Sequence, residues 1–135
     1  MYDGYGQPTT LRDLLAQELK LDTAERIVSC VYSNDKSAVA ALSPIVDKAY
    51  STGDAVATQI IRSNAEVLLQ LVKAVASRLN FNSCNVALLG GLLENETPLK
   101  AEFVSLLHSS TNLHCVSPLH SAAEGAVLEA LSLVK

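Results

Sequence analysis

The stretch Val86-Ala87-Leu88-Leu89-Gly90-Gly91-Leu92-Leu93 decides how the chain is read. Four apolar residues run without alternation and stop at two glycines. Such a run suits a strand buried on both faces, as in a parallel sheet. Downstream, Thr97-Pro98 reads as a helix cap followed by proline at the first helical position. That helix is expected to bury Leu99, Phe103, Leu106 and Leu107. Leu113 to Val116 is a second short strand, and Ser121-Ala122-Ala123-Glu124 is a capping box. The box opens a last helix whose expected buried face carries Ala123, Val127, Ala130, Leu131 and Val134. The order strand, helix, strand, helix predicts a βαβα unit with parallel strands at 86–89 and 113–116 and a right-handed crossover. Two short strands do not make a self-sufficient sheet. Either helices complete this core, or the sheet continues in other chain.

Upstream the texture is helical. Residues 1–10 form a loop, and Thr10 is expected to cap a helix that buries Leu11, Leu14, Leu15 and Leu19, with Asp13 at its positive end. Asp22 with Glu25 three residues on predicts a second capped helix with the apolar stripe Ile27, Val28, Val31 and Tyr32, broken at Ser33-Asn34-Asp35. Pro44 interrupts the helical stretch from Ser37 to Tyr50, so Ser43 is expected to cap a new helix with Pro44 at its first position. Thr52-Gly53 ends it. Asp54 starts the longest helix, expected to run to Asn80, on the order of 40 Å. Its expected buried stripe is Ile61, Leu68, Leu71, Val72, Val75 and Leu79. The heptad is not sustained, which argues against a coiled coil.

The 135 residues suit one domain or a piece of a larger one. Hydrophobic residues make up 49% and charged residues 18%, enough for a packed core. Aromatics are 4% and tryptophan is absent, so the core must be aliphatic. A formal net charge of −4 shows no basic face for nucleic acid. Cys30, Cys84 and Cys115 are widely spaced, which reads as reduced, buried thiols in a cytoplasmic protein and not as a zinc site. The polar opening MYDGYGQPTT has no signal-peptide core. The longest apolar stretch, Val86 to Leu93, falls far short of the roughly 20 residues that span a bilayer.

The best candidate for chemistry is the Gly90-Gly91 turn. Glycine lets a ligand approach the backbone, and open α/β sheets place ligands at the carboxyl ends of parallel strands. A plain strand-to-loop turn explains the same dipeptide. The chain has no G-x-x-x-x-G-K-[ST], no G-x-G-x-x-G and no G-x-S-x-G. Gly4-x-Gly6 follows no strand and reads as an entry loop. His108, His114 and His120 are spaced by six, which fits neither a helix face nor a metal motif. Asp3, Asp22, Asp35 and Asp54 fall in loops or at caps, where a structural role already explains them. No catalytic or metal-ligating residue is selected.

The order of features is similar to that of a known family. The matching pieces are D-G-x-G-x-P-T at Asp3–Thr9, G-D at Gly53-Asp54, V-A-L-L-G-G-L-L at Val86–Leu93 and S-P-L-H-S-A-A-E-G-A at Ser117–Ala126. Together they resemble the C-terminal part of the N-acetylglucosamine kinase and BadF/BadG-type ATPases, within the actin, hexokinase and chaperone ATPase superfamily. The resemblance implies a predominantly helical α/β chain, a C-terminal lobe fragment of a ribonuclease-H-like fold. Residues 1–52 would be an entry loop and helical insertion, and 53–135 the long helix with the βαβα part. Gly90, Gly91 and Leu92 would match the adenosine motif, with ATP and Mg in the complete protein and an amino sugar as its substrate. The family's phosphate-holding loops, sugar site and catalytic aspartate lie upstream of the matching pieces. The chain alone is therefore expected to bind nucleotide weakly and to catalyse nothing. Two rival readings stand beside the kinase. One is an ATPase that activates a partner enzyme, which would need cysteines around an iron–sulfur cluster. The other is a helical interaction domain. The charge and the short apolar stretches predict no nucleic-acid or membrane partner, and a homodimer is compatible with the reading.

Overall fold

A computed structural model describes residues 6–21, 23–33 and 35–134. The elements run α1 (Leu11–Leu19), α2 (Ala24–Ser33), α3 (Lys36–Ala40), α4 (Ser43–Ser51), α5 (Ala55–Arg78), β1 (Asn85–Ala87), α6 (Gly91–Glu94), α7 (Pro98–Ser110), β2 (His114–Val116) and α8 (Ala122–Leu133). The architecture is mainly helical with two parallel strands, as the sequence predicts. The strands pair Asn85 with His114, Val86 with Cys115 and Ala87 with Val116.

Local chemistry sets most element ends. The Thr97 hydroxyl accepts from the Lys100 amide, with Pro98 opening α7. Ser121 and Glu124 close a full capping box on α8, and the Ser121 amide holds the Glu124 carboxyl below its usual range. Asp54 caps α5 through the Val56 and Ala57 amides at 3.0 and 2.9 Å. The helix ends at Arg78, two residues before the left-handed Asn80. Pro44 breaks the helix where expected, but α4 starts at Ser43, so Ser43 is inside the helix and caps nothing. Asp35 caps α3. The cap assigned to Asp22, the loop glycine Gly4 and Asp3 lie outside the described residues.

Thr10 departs from expectation. It precedes α1 in a helical conformation and makes no side-chain cap. Its hydroxyl and amide turn instead to Asp54 Oδ2, at 2.9 and 2.6 Å. The Thr9 hydroxyl adds contacts of 3.1 and 3.0 Å to the same carboxylate. This clasp joins the entry loop to the start of the long helix.

Two apolar clusters share α5. One holds Leu11, Ile45, Ala49 and Ala57, and the other Ala65, Leu69, Ala76, Leu88, Phe103, Leu107 and Leu113. The buried line of α5 is therefore Ala57, Ile61, Ala65, Leu69 and Ala76. Of the expected stripe only Ile61 is buried, and Leu71, Val75 and Leu79 are more than half exposed. The small Ala65 and Ala76 let α7 approach closely, and that approach decides the buried face along this half of α5. Arg62 on α5 pairs with Glu102 on α7 at 2.8 Å along the same seam.

The strands are not buried on both faces. Val86 and Cys115 turn toward the α5–α7 core, while Asn85, Ala87, His114 and Val116 are exposed. Burial raises the Cys115 thiol above its ordinary value. The α8 stripe is also corrected: Val127, Leu131 and Val134 are 58, 61 and 84% exposed, and α8 buries none of its residues. Of the stripe expected on α2, Val28 and Tyr32 are exposed, while Ile27 and Val31 are half-buried. Helical period marks which residues are apolar, not which have something to pack against.

Candidate functional site

The carboxyl end of β1 leads through Leu88 and Leu89 into the glycine turn. Leu88 is buried and its amide bonds the Val116 carbonyl, so the turn hangs from a fixed strand end. Gly90 has φ +90°, a conformation that favours glycine. Gly91 is the first residue of α6, and Leu92 lies in α6 half-exposed. A Cβ at Gly90 or Gly91 would meet nothing within 4 Å. The backbone of this turn is bare and faces open space.

The Gly90 amide donates to Glu94 Oε1 at 3.1 Å, and the Leu93 and Glu94 amides donate to the Gly90 carbonyl. A carboxylate therefore takes the donor that a phosphate would need. Below the turn a groove of about 340 Å³ is lined by Leu88, Leu93, Glu94, Lys100, Val104, His108, Cys115, Val116, Ser117 and Pro118. It sits beside the carboxyl ends of both strands, next to the glycines but not lined by them. Lys100 pairs with Glu96 and also donates to the Glu94 carbonyl, so its charge is balanced within the loop.

The groove sets the apolar side chains of Leu88, Leu93, Val104 and Val116 beside Glu94, Lys100 and His108, with the bare main chain of the turn next to it. Among the described residues no three histidine, cysteine or acidic side chains come together as a metal site. His108 and His114 lie with ring centroids 6.4 Å apart, and His120 stands apart at the approach to α8. Cys84 and Cys115 are free thiols.

Sequence reading reached the glycines but missed Glu94, Lys100 and His108 as neighbours of the turn. Glu94 carried a usable signal, an acceptor four residues after Gly90. Lys100 and His108 carried none, because their place in the groove depends on how α7 lies over the strands.

No protein-family model matches the chain. The chain is 31% identical, over 97% of its length, to an N-acetylmuramic acid/N-acetylglucosamine kinase of Clostridium acetobutylicum. It spans 44% of that kinase's length. Among the described residues no helix is long and apolar enough to cross a membrane.

Proposed function

We propose that the chain is the C-terminal lobe of an ATP-dependent amino-sugar kinase, with the Gly90–Gly91 turn receiving the adenosine end of the nucleotide. The observation that carries this is the bare turn at the carboxyl end of a parallel strand, open to solvent and next to a groove of mixed apolar and charged lining. Glu94 sharpens it. With the Gly90 amide already given to a carboxylate, base and ribose suit the turn better than phosphate does. Similarity to a sugar kinase along nearly the whole chain supports the same reading. An actin-like ATPase fold, Leu92 as a third contact, N-acetylglucosamine or a related sugar as substrate and a cytoplasmic setting belong to the proposal. The activator reading gains nothing from the cysteines, which lie on α2, before β1 and in β2.

Mg and the β- and γ-phosphates require groups that these residues do not bring together. Phosphoryl transfer depends on positioning and neutralising those phosphates. Purified 135-residue chain is therefore expected to give no sugar phosphorylation above background in a coupled ADP-release assay. Turnover above background would mean that catalytic groups reside in this half.

Gly91→Val tests the turn. Gly91 has ordinary φ and open space around it, so valine should change stability by less than about 0.5 kcal/mol. Gly90 cannot serve, because its positive φ makes any side chain strained. In an ATP or ADP titration followed by amide shifts, the chain should bind weakly, with nucleotide-dependent shifts centred on 88–94. Gly91→Val should weaken binding at least about tenfold, roughly 1.4 kcal/mol. An unchanged dissociation constant in a folded variant would remove the turn from the site.

A further inference from the structure

Helix α6, only four residues long, is too short to hold its own shape. The last four carbonyls of any helix lack partners within it, so a one-turn helix leaves them all bare. A single turn is also an unfavourable nucleus in water. In this chain the missing partners come from side chains just downstream. Asn95 Nδ2 donates to the Gly91 carbonyl and the Thr97 hydroxyl to the Leu92 carbonyl, each at 2.6 Å. Lys100 Nζ adds a longer contact of 3.4 Å to the Glu94 carbonyl.

Thr97 does two things with one hydroxyl. Its proton goes to Leu92, and its oxygen accepts from the Lys100 amide at 3.2 Å. The second bond caps α7, whose Phe103 and Leu107 are buried in the core. The first ties the glycine turn to that capped end. On the other side of the turn, Leu88 is buried and bonded to Val116 of β2. We infer that Asn95 and Thr97 are positioning residues for the glycine turn. They hold the main chain of Gly90, Gly91 and Leu92 in one conformation, Thr97 by tying it to α7, so that a ligand meets a rigid turn. A turn ordered in advance loses less conformational freedom on binding and therefore binds more tightly. That the ligand is adenosine rests on the proposed function; that the turn is held does not.

Two substitutions separate holding the turn from holding the fold. Thr97→Asp keeps an acceptor for the Lys100 amide, and aspartate caps helices at least as well as threonine, but it has no proton for Leu92. Asn95→Asp removes the donor to Gly91 at an exposed site without changing its shape. Both should leave the melting temperature within about 3 °C of wild type. The readout is amide exchange followed by NMR. The Gly90 amide is bonded to Glu94, and the Leu93 and Glu94 amides to the Gly90 carbonyl, so all three should be protected in wild type. In each aspartate variant they should exchange at least about fivefold faster, while the Phe103 and Val104 amides inside α7 keep their rates. Thr97→Ser, which keeps both proton and oxygen, should behave as wild type. Adenosine is titrated into the same samples, because an uncharged probe is indifferent to the added carboxylate. Its Kd should rise at least about fivefold in both aspartate variants and stay within about twofold in Thr97→Ser. Unprotected turn amides in wild type, or protection that survives both substitutions, overturns the inference. So does unchanged adenosine binding while the turn loosens. An effect of one substitution alone removes the other residue from the pair. Wild type that binds no adenosine removes the adenosine reading of the turn instead, and the exchange rates then decide by themselves whether Asn95 and Thr97 hold it.

Discussion

Phe103→Ala is expected to destabilise the chain by about 3–5 kcal/mol, the range for emptying a buried aromatic site. Phe103 is 2% exposed and packs in the cluster with Ala65, Leu69, Leu107 and Leu113, so it joins α5, α7 and the approach to β2. The chain's other phenylalanine, Phe81, is half exposed and cannot take over. Domains of this size have only about 5–15 kcal/mol to lose, so the variant should be largely unfolded near its former working temperature. Urea melts followed by circular dichroism check this, with a lowered midpoint and an unchanged slope. Val67→Ala, at an exposed site on α5, should move stability by less than about 0.5 kcal/mol. A loss under 1 kcal/mol for Phe103→Ala would mean that the α5–α7 seam is not the main core.

What could be read from sequence follows the range of the interaction that fixes it. Thr97, Ser121 and Asp54 act on amides two or three residues away, so their caps were readable. The Gly90-Gly91 turn was readable because a positive φ and an abrupt end to an apolar run leave a local mark. The buried faces of α5 and α8 were not. Size and period favoured Leu71 and Val75, but close approach of α7 favoured Ala65 and Ala76, and packing against α1 and α4 favoured Ala57. In α8 an apolar pattern exists with no element of the described chain covering it. The two-faced burial expected of the strands failed for the same reason. Val86 and Cys115 pack against the core cluster, while Ala87 and Val116 are exposed.

The same distinction applies to the site. The glycines are set by the chain on either side of them, while Lys100 and His108 enter the groove through the docking of α7. Sequence could therefore nominate a bare turn but not its walls. The carboxylate on the Gly90 amide appears only once α6 is formed.

Asp54 gives the other large effect, and it divides into two parts. Its carboxylate caps α5 through Val56 and Ala57, and it also receives Thr9 and Thr10 from residues 45 and 44 positions away. These donors, led by the Ala57 and Thr10 amides, hold its carboxyl far below the usual carboxylate range. Asparagine caps helices about as well as aspartate. Asp54→Asn should therefore keep the cap, but its side-chain NH2 cannot accept from Thr10. Asp54→Ala loses both parts. At pH 7 the expected order of melting temperature is wild type, then Asp54→Asn, then Asp54→Ala, with roughly 5 °C or more between the extremes. Because the folded-state pKa is depressed, the Asp54 contribution is fully present above the unfolded value of ~3.9 and is lost as pH falls below it. The gap between wild type and Asp54→Asn should then be constant from pH 7 to about 5 and shrink as pH falls below about 4. Thermal melts at stepped pH measure it. A gap that widens toward acid, or an Asp54→Asn variant as stable as wild type at pH 7, would show that the clasp on Thr9 and Thr10 does not hold the entry loop to α5.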